Sequence, residues 1–191
     1  MTEKAKLSTS QVIHEEDTEA ALVAEAKRDL AAFGQLYDLY LQPLYRYLLS
    51  RMGDVQGAEE VTAQTFLAAL EGFPRYRHRG KFAAWLFSIA RNKAADYFRH
   101  EQDEPRSIDS APLLLETDLL QHTINTERVT RLAELISGLT DDERELIRLR
   151  FVAEMHFADI AALIHRKEDT VKKSLYRLLA RLKSQLEENY D

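Results

Sequence analysis

Phe157-Ala-Asp-Ile-Ala-Ala-Leu-Ile-His-Arg-Lys-Glu-Asp-Thr-Val-Lys-Lys-Ser-Leu-Tyr-Arg-Leu-Leu-Ala-Arg-Leu-Lys183 reads as two helices separated by a polar turn. The first, Phe157–Ile164, is short and amphipathic, with Ile160, Ala161 and Ile164 as its buried side. After the turn at His165–Asp169, Val171, Leu175, Leu178, Leu179, Leu182 and Leu186 recur at helical spacing and make a strong buried stripe. The opposite face carries Lys172, Lys173, Tyr176, Arg177 and Arg181. Asp169 or Thr170 can cap this helix, leaving free N–H groups and partial positive charge at its start. Such a helix suits a DNA major groove, with its first turns on base edges and its cations on phosphates. A basic face alone is more often just a solvated face. The short preceding helix, the tight turn and the Ala161/Val171 spacing favour helix-turn-helix, a motif that speaks for DNA binding without naming the process it serves.

Upstream, Thr140 and Glu143 form a capping-box pattern for a helix to about Val152. Val129, Leu132, Ile136 and Leu139 are spaced for a core face in helical sequence that begins near Asp118. Before it, Glu101–Glu116 holds Pro105, Pro112 and an acidic excess, and reads as a linker. In the N-terminal half, a helix is expected from about Glu19 to Leu41. Pro43 then opens a second helix, where its missing N–H is harmless, and Gly53 ends it. A third covers about Val55–Phe73, with Val61, Phe66, Ala69, Leu70 and Phe73 on one side. Pro74–Gly80 is a loop, and a fourth helix runs from about Lys81 to Arg99 with Phe82, Leu86, Ile89, Ala90 and Tyr97 near one face. Only six glycines and four prolines, and no alternating strand-like runs, point to an all-α chain. The expected organisation is two small helical domains, residues 19–100 and 118–191, joined by a flexible acidic linker, 101–117, and preceded by a disordered tail, 1–18.

The chain has 191 residues, of which 45% are hydrophobic and 30% charged, an ordinary globular balance. No apolar run approaches a membrane span, and the start of the chain lacks a signal-peptide core, so no membrane insertion and a cytoplasmic location are expected. The absence of cysteine excludes disulfides and thiolate metal sites. The strongest enzyme candidates, His14-Glu15 or His156 with Asp159 and His165, form neither a metal set nor a triad, and no glycine-rich phosphate loop exists. No catalytic residue, metal or cofactor is therefore expected. A net charge of −6 argues mildly against a free-standing DNA binder. Its distribution matters more: Arg75, Arg77, Arg79, Lys81, Arg91, Lys93 and Arg99 form one basic cluster, and Arg166–Lys183 carries a second.

The first basic cluster is interleaved with Tyr76, Phe82, Trp85, Phe87, Tyr97 and Phe98. Aromatics beside arginines form stacking platforms for unpaired bases, worth about 1–3 kcal/mol per base. A side chain such as Asn92 can read the edge of an unstacked base. Phe82, Trp85 and Tyr97 are residue types more often found in cores, so the cationic loop Tyr76–Lys81 is the better contact candidate.

These stretches together resemble the extracytoplasmic-function (ECF) sigma factors of the sigma-70 family. Ala32-Phe33 through Tyr37, Tyr40 and Leu44-Tyr45-Arg46-Tyr47 is similar to the start of that family's region 2. Gly53-Asp54, Ala58-Glu-Glu-Val61 and Gln64-Thr-Phe-Leu67 resemble its polymerase-binding helix. Tyr76-Arg77, Phe82, Trp85-Leu86, Ile89-Ala-Arg-Asn92 and Asp96 resemble its −10 recognition segment. Leu139-Thr140, Glu143-Arg144, Arg148, Phe151, Ile160-Ala161 and Thr170-Val-Lys172 resemble region 4, a helix-turn-helix. The resemblance implies docking on core RNA polymerase through Asp54, Glu59, Glu60, Gln64, Phe66 and Leu67. It implies capture of the melted −10 promoter element by Tyr76, Arg77, His78, Arg79, Lys81, Trp85, Arg91, Asn92 and Lys93. It implies −35 recognition by Arg166, Lys167, Thr170, Lys172, Lys173, Ser174, Tyr176 and Arg177, with an anti-sigma factor as a further implied partner. The chain departs from the family at His165, where glycine is common, and at Arg166, commonly apolar. Ser174 stands where arginine is frequent, and His78 replaces a common glycine. An autonomous helix-turn-helix regulator is the alternative; it would require an N-terminal effector or dimerisation domain instead of a second Arg/aromatic segment.

Overall fold

A computed structural model of the protein describes residues 19–77, 81–101 and 126–187. The expected tail, His78, Arg79 and nearly all of the expected linker lie outside the described residues. Every regular element described is helical: α1 (residues 19–28), α2 (Phe33–Met52), α3 (Val55–Gly72), α4 (Phe82–Glu101), α5 (Thr126–Ser137), α6 (Asp141–Ile147), α7 (Phe157–Leu163) and α8 (Glu168–Glu187).

The first helical boundary differs from expectation. The break falls at Asp29, whose carboxylate accepts the Ala31 N–H (3.0 Å) and caps a short 3-10 turn, Leu30–Ala32. Pro43 instead lies inside α2, which continues to Met52. A proline there removes one helical hydrogen bond, but Phe33, Leu36, Leu44, Tyr47 and Leu48, on both sides of it, are all buried in one core. That shared burial outweighs the local defect. Gly53 then stops the helix as expected, in the left-handed conformation (φ 73°), its N–H bonded to the Leu49 carbonyl.

Helices α2, α3 and α4 pack together around Leu36, Leu44, Leu48, Val61, Ala69, Phe82, Leu86 and Phe87. The third helix departs from its sequence pattern at Leu70, which is exposed, while Thr62 and Thr65 are buried. Their hydroxyls donate to the carbonyls one turn back, Ala58 and Val61, so burial leaves neither unsatisfied. Gly57 lets α4 approach: a Cβ there would stand 2.7 Å from both the Tyr97 hydroxyl and the Asp54 carboxylate.

In the C-terminal half, Thr140 and Glu143 form the expected capping box at the start of α6. Arg148–Val152 continues α6 as a π-helical turn. Ile136 and Leu139 are buried and Leu132 is half-buried, but Val129 is exposed. The stripe Val171, Leu175, Leu178 and Leu182 is buried as expected, with Leu179 and Leu186 half-buried. In α7, Ile160, Ala161 and Leu163 are buried, with Ile164 half-buried just beyond it. The start of α8 is also shifted: the Lys167 carbonyl accepts from Val171 N–H, which makes Lys167 the cap position. Asp169 and Thr170 therefore lie inside the first turn, where Glu168 and Asp169 oppose the positive end of the helix dipole.

Between α7 and α8, the Arg166 N–H bonds the Ala161 carbonyl (3.0 Å), closing a Schellman-type turn. The turn forces His165 into the left-handed region (φ 55°), a conformation that costs an L-residue about 1–2 kcal/mol. His165→Gly is expected to raise unfolding stability by about 1 kcal/mol and His165→Val to lower it, read as shifts in the denaturant midpoint of the purified chain.

Candidate nucleic-acid interface

The N-terminus of α4 is held from several directions. The Glu19 carboxylate accepts both the Phe82 N–H (3.2 Å) and the Tyr40 hydroxyl. Burial and the adjacent Glu19 charge push the Tyr40 phenol far above its ordinary pKa, so it remains a donor. Lys27 donates to the Phe73 and Pro74 carbonyls and sits 4.8 Å from the Phe73 ring centre. The loop entering α4 therefore starts from an anchored base.

On that base, Tyr76 stacks on Trp85, with ring centres 4.6 Å apart and planes at 30°. Both rings are half-buried, and both also contact Phe82. The two expected base-stacking residues are thus partners of each other, a layered platform continuing into the core through Phe73 and Phe33. Arg77 and Asn92 are exposed and Lys93 is half-buried. Lys81 and Arg91 point elsewhere. Lys81 Nζ lies 3.7 Å from the buried Asp159 carboxylate, and Arg91 Nε lies 3.4 Å from Glu145.

On α8, Lys167, Thr170, Lys173, Tyr176 and Arg177 are exposed, and Ser174 is half-buried. No described carboxylate pairs with Lys173 or Arg177. Arg166 pairs with Asp142 (3.2 Å) and Lys172 with Glu168 (2.6 Å). Tyr176 leans on Phe157, over which the Arg150 guanidinium also sits at 4.9 Å. The cations of the second face with no described carboxylate partner are therefore Lys167, Lys173 and Arg177, the last two flanking the Tyr176 ring.

The α3 face divides. Asp54 caps the helix through the Gly57 N–H (2.6 Å), and Glu59, Glu60, Gln64 and Leu67 are exposed. Phe66 is turned inward, 6% exposed and against Tyr37 at 4.6 Å between centres, so it supports that face from beneath. Val55 and Leu70, which the sequence pattern did not single out for this face, are exposed on the same helix.

Glu145 was not singled out by the sequence, and Asp159 only beside His156 and His165. Glu145 and Asp159 are buried carboxylates that reach across to α2 and α4. Glu145 sits beside Leu146 in a buried run, and a carboxylate in such a run signals a partner without identifying it.

The sequence matches the family description Sigma-70 region 2 over residues 36–104 and Sigma-70, region 4 over residues 130–182. It is 30% identical over 151 residues to the ECF RNA polymerase sigma factor SigM of Bacillus subtilis strain 168, an alignment covering 78% of this chain and 92% of SigM. The chain belongs to the ECF sigma factors of RNA polymerase. It is also 31% identical over 162 residues to the ECF sigma factor BldN of Streptomyces coelicolor, covering 79% of this chain but 59% of BldN. Among solved structures, the fold is similar to that of CnrH in complex with the cytosolic domain of CnrY (TM-score 0.61, 24% identity, 88% of this chain and 96% of that one). It is likewise similar to the sigma factor RpoE in complex with the anti-sigma factor NepR from Bartonella quintana (TM-score 0.57, 24% identity, 81% and 96%). Region 2 of this sigma factor thus includes α2–α4, and region 4 includes α8 and its supporting helices. None of the described helices is long and apolar enough to cross a membrane.

Trp85 is the only tryptophan, which makes the platform spectroscopically visible. Tyr76→Leu is expected to uncover the indole and move its emission maximum to longer wavelength with helix content unchanged, as measured by steady-state fluorescence and circular dichroism.

Proposed function

We propose that this sigma factor reads its promoters through two surfaces and docks on core RNA polymerase through a third. The exposed α3 residues Asp54, Glu59, Glu60, Gln64 and Leu67 form the docking face, with Phe66 as its internal support. The Tyr76–Trp85 platform, Arg77, Lys81, Arg91, Asn92 and Lys93, together with His78 and Arg79, capture the melted −10 strand. Lys167, Thr170, Lys173, Tyr176 and Arg177 enter the major groove of the −35 element, with Arg166, Lys172 and Ser174 beside them. The protein acts in the cytoplasm and catalyses no reaction of its own. An anti-sigma factor is a natural partner, because RpoE, of similar fold, is seen in complex with the anti-sigma factor NepR, and CnrH with the cytosolic domain of CnrY.

The observation that carries this reading is the pairing of two unlike recognition surfaces in one chain. One is an aromatic platform with a polar rim, suited to unstacked bases; the other is a cationic helix face on a fixed helix-turn-helix, suited to a duplex. A free-standing regulator needs only the second. Each surface alone is small, and tethering both to one polymerase supplies affinity through effective concentration.

Run-off transcription with core RNA polymerase over a library of genomic fragments is expected to yield a discrete set of promoters. Leu67→Asp should abolish core binding. Lys173→Ala and Arg177→Ala should each weaken −35-dependent initiation, and any of the two that contacts phosphate should lower the salt slope of promoter binding by about 1. Tight duplex binding by the chain alone, with no association with core, would overturn the proposal in favour of an autonomous regulator.

A further inference from the structure

Helix α1 holds both halves of the Tyr76–Trp85 platform. Val23 and Ala26 are buried and seat α1 on the region 2 core. Its charged groups go to the two segments that carry the rings. Lys27, in its last turn, donates to the Phe73 (2.5 Å) and Pro74 (3.3 Å) carbonyls, in the short turn that leads into Tyr76. Glu19, at its start, accepts the Phe82 N–H with Oε1 (3.2 Å), where α4 begins and one turn before Trp85. The two residues are eight positions apart, which on a helix is about 12 Å.

Each contact has the sign its place requires. A helix starts with unpaired N–H groups and partial positive charge, which a carboxylate satisfies. Carbonyls at and beyond a helix end favour a cation. Glu19 is itself tied down: its Oε2 accepts the Tyr40 hydroxyl, and the Tyr40 ring centre lies 5.5 Å from that of Phe82. Lys27 also reaches the rings, with Nζ 4.8 Å from the Phe73 ring centre and 5.7 Å from that of Tyr76. The apolar side of α1 is enough to seat it on the core. The polar contacts add something else, because together they fix where Tyr76 stands relative to Trp85.

We propose that α1 is a bracket for the −10 platform, with Glu19 and Lys27 as positioning residues for selection among unpaired −10 bases. Lys27 holds the Tyr76 side and Glu19 the Trp85 side, and neither touches DNA in this role. The inference rests on the −10 assignment made above. A recognition surface discriminates when the groups behind it lock its geometry. Releasing either side leaves both rings present but lets them adapt to more than one base, so discrimination falls more than affinity.

The test uses holoenzyme assembled from core polymerase and the full chain, on run-off templates with a fixed −35 element and a randomised −10 element. Glu19→Ala and Lys27→Met are each expected to lower the ratio between preferred and other −10 bases about tenfold, the order of one stacked base. Lys27→Arg, which keeps the cation, should restore most of that ratio. Tyr40→Phe should lower it less than Glu19→Ala, because the carboxylate then keeps its bond to the Phe82 N–H. Glu25→Gln, on the exposed side of α1, should match wild type. Core binding, −35 dependence and helix content should be unchanged throughout. In the free chain, amide exchange at Phe82 should quicken in Glu19→Ala and not in Lys27→Met, whereas Trp85 emission should move to longer wavelength in both. Lys27 is exposed, so its variants carry the test even where Glu19→Ala disturbs the fold.

An unchanged −10 preference in both Glu19→Ala and Lys27→Met would overturn the proposal. Loss of core binding and helix content in both would overturn it too, by making α1 a folding element alone. Asn92→Ala separates these outcomes from the underlying assignment, since it should flatten the −10 preference by itself. If it does not, the −10 assignment fails and the bracket falls with it. If it does while the α1 variants keep the wild-type preference, only the bracket fails.

Discussion

Taking the Glu145 carboxylate out of water costs several kcal/mol unless charges and donors surround it. Here the Tyr47 hydroxyl and the Arg51 and Arg91 guanidinium groups supply them from region 2, with Arg148 at the edge. Those partners are within reach only when α2 and α4 lie against α6 and α7 as they do. Removing one member of such a buried group costs about 3–5 kcal/mol, because the remainder is left charged and unsolvated. Glu145 therefore ties the two regions together through several partners at once. Tyr47 roots the tie in the core: it is fully buried and set edge-on to Phe87 at 5.3 Å. Burial, and then the Glu145 charge, push its phenol far above the ordinary pKa, so it stays a hydrogen-bond donor throughout the physiological range.

The same arrangement resolves the contradiction of an acidic protein, net charge −6, that addresses DNA. Many of its cations are already neutralised within the chain: Arg166 by Asp142, Arg181 by Glu143, Lys172 by Glu168 and Lys81 by Asp159. On α8, Lys173 and Arg177 are exposed with no described carboxylate partner. Non-specific affinity grows with the number of phosphates neutralised, so each cation paired within the chain is one fewer to supply it.

Much of the architecture was legible in the residues. The α8 stripe from Val171 to Leu182, the Thr140–Glu143 capping box, the Gly53 stop and the span of α3 all depend on side chains within a few positions of one another. The aromatic and basic character of the Tyr76–Asn92 segment was equally plain. The misses share a different cause. Pro43 was read as a helix start because its local penalty is certain, whereas the compensating burial of Leu44, Tyr47 and Leu48 depends on distant helices. Leu70 and Val129 each fit a periodic pattern, but which way a helix turns its edge residues is decided by its neighbours.

The sequence by itself thus determined the all-helical class, the helix-turn-helix with its outward cations, and the family, since helical period, capping and turn chemistry act over a turn or two. Tertiary structure alone decided which cations are free. Tyr47 and Glu145 are 98 residues apart in the chain, and Lys81 and Asp159 are similarly remote. No local pattern distinguishes a lysine facing solvent from one facing a buried carboxylate. That distinction arises only when two apolar faces have packed and fixed which charges share a low-dielectric space.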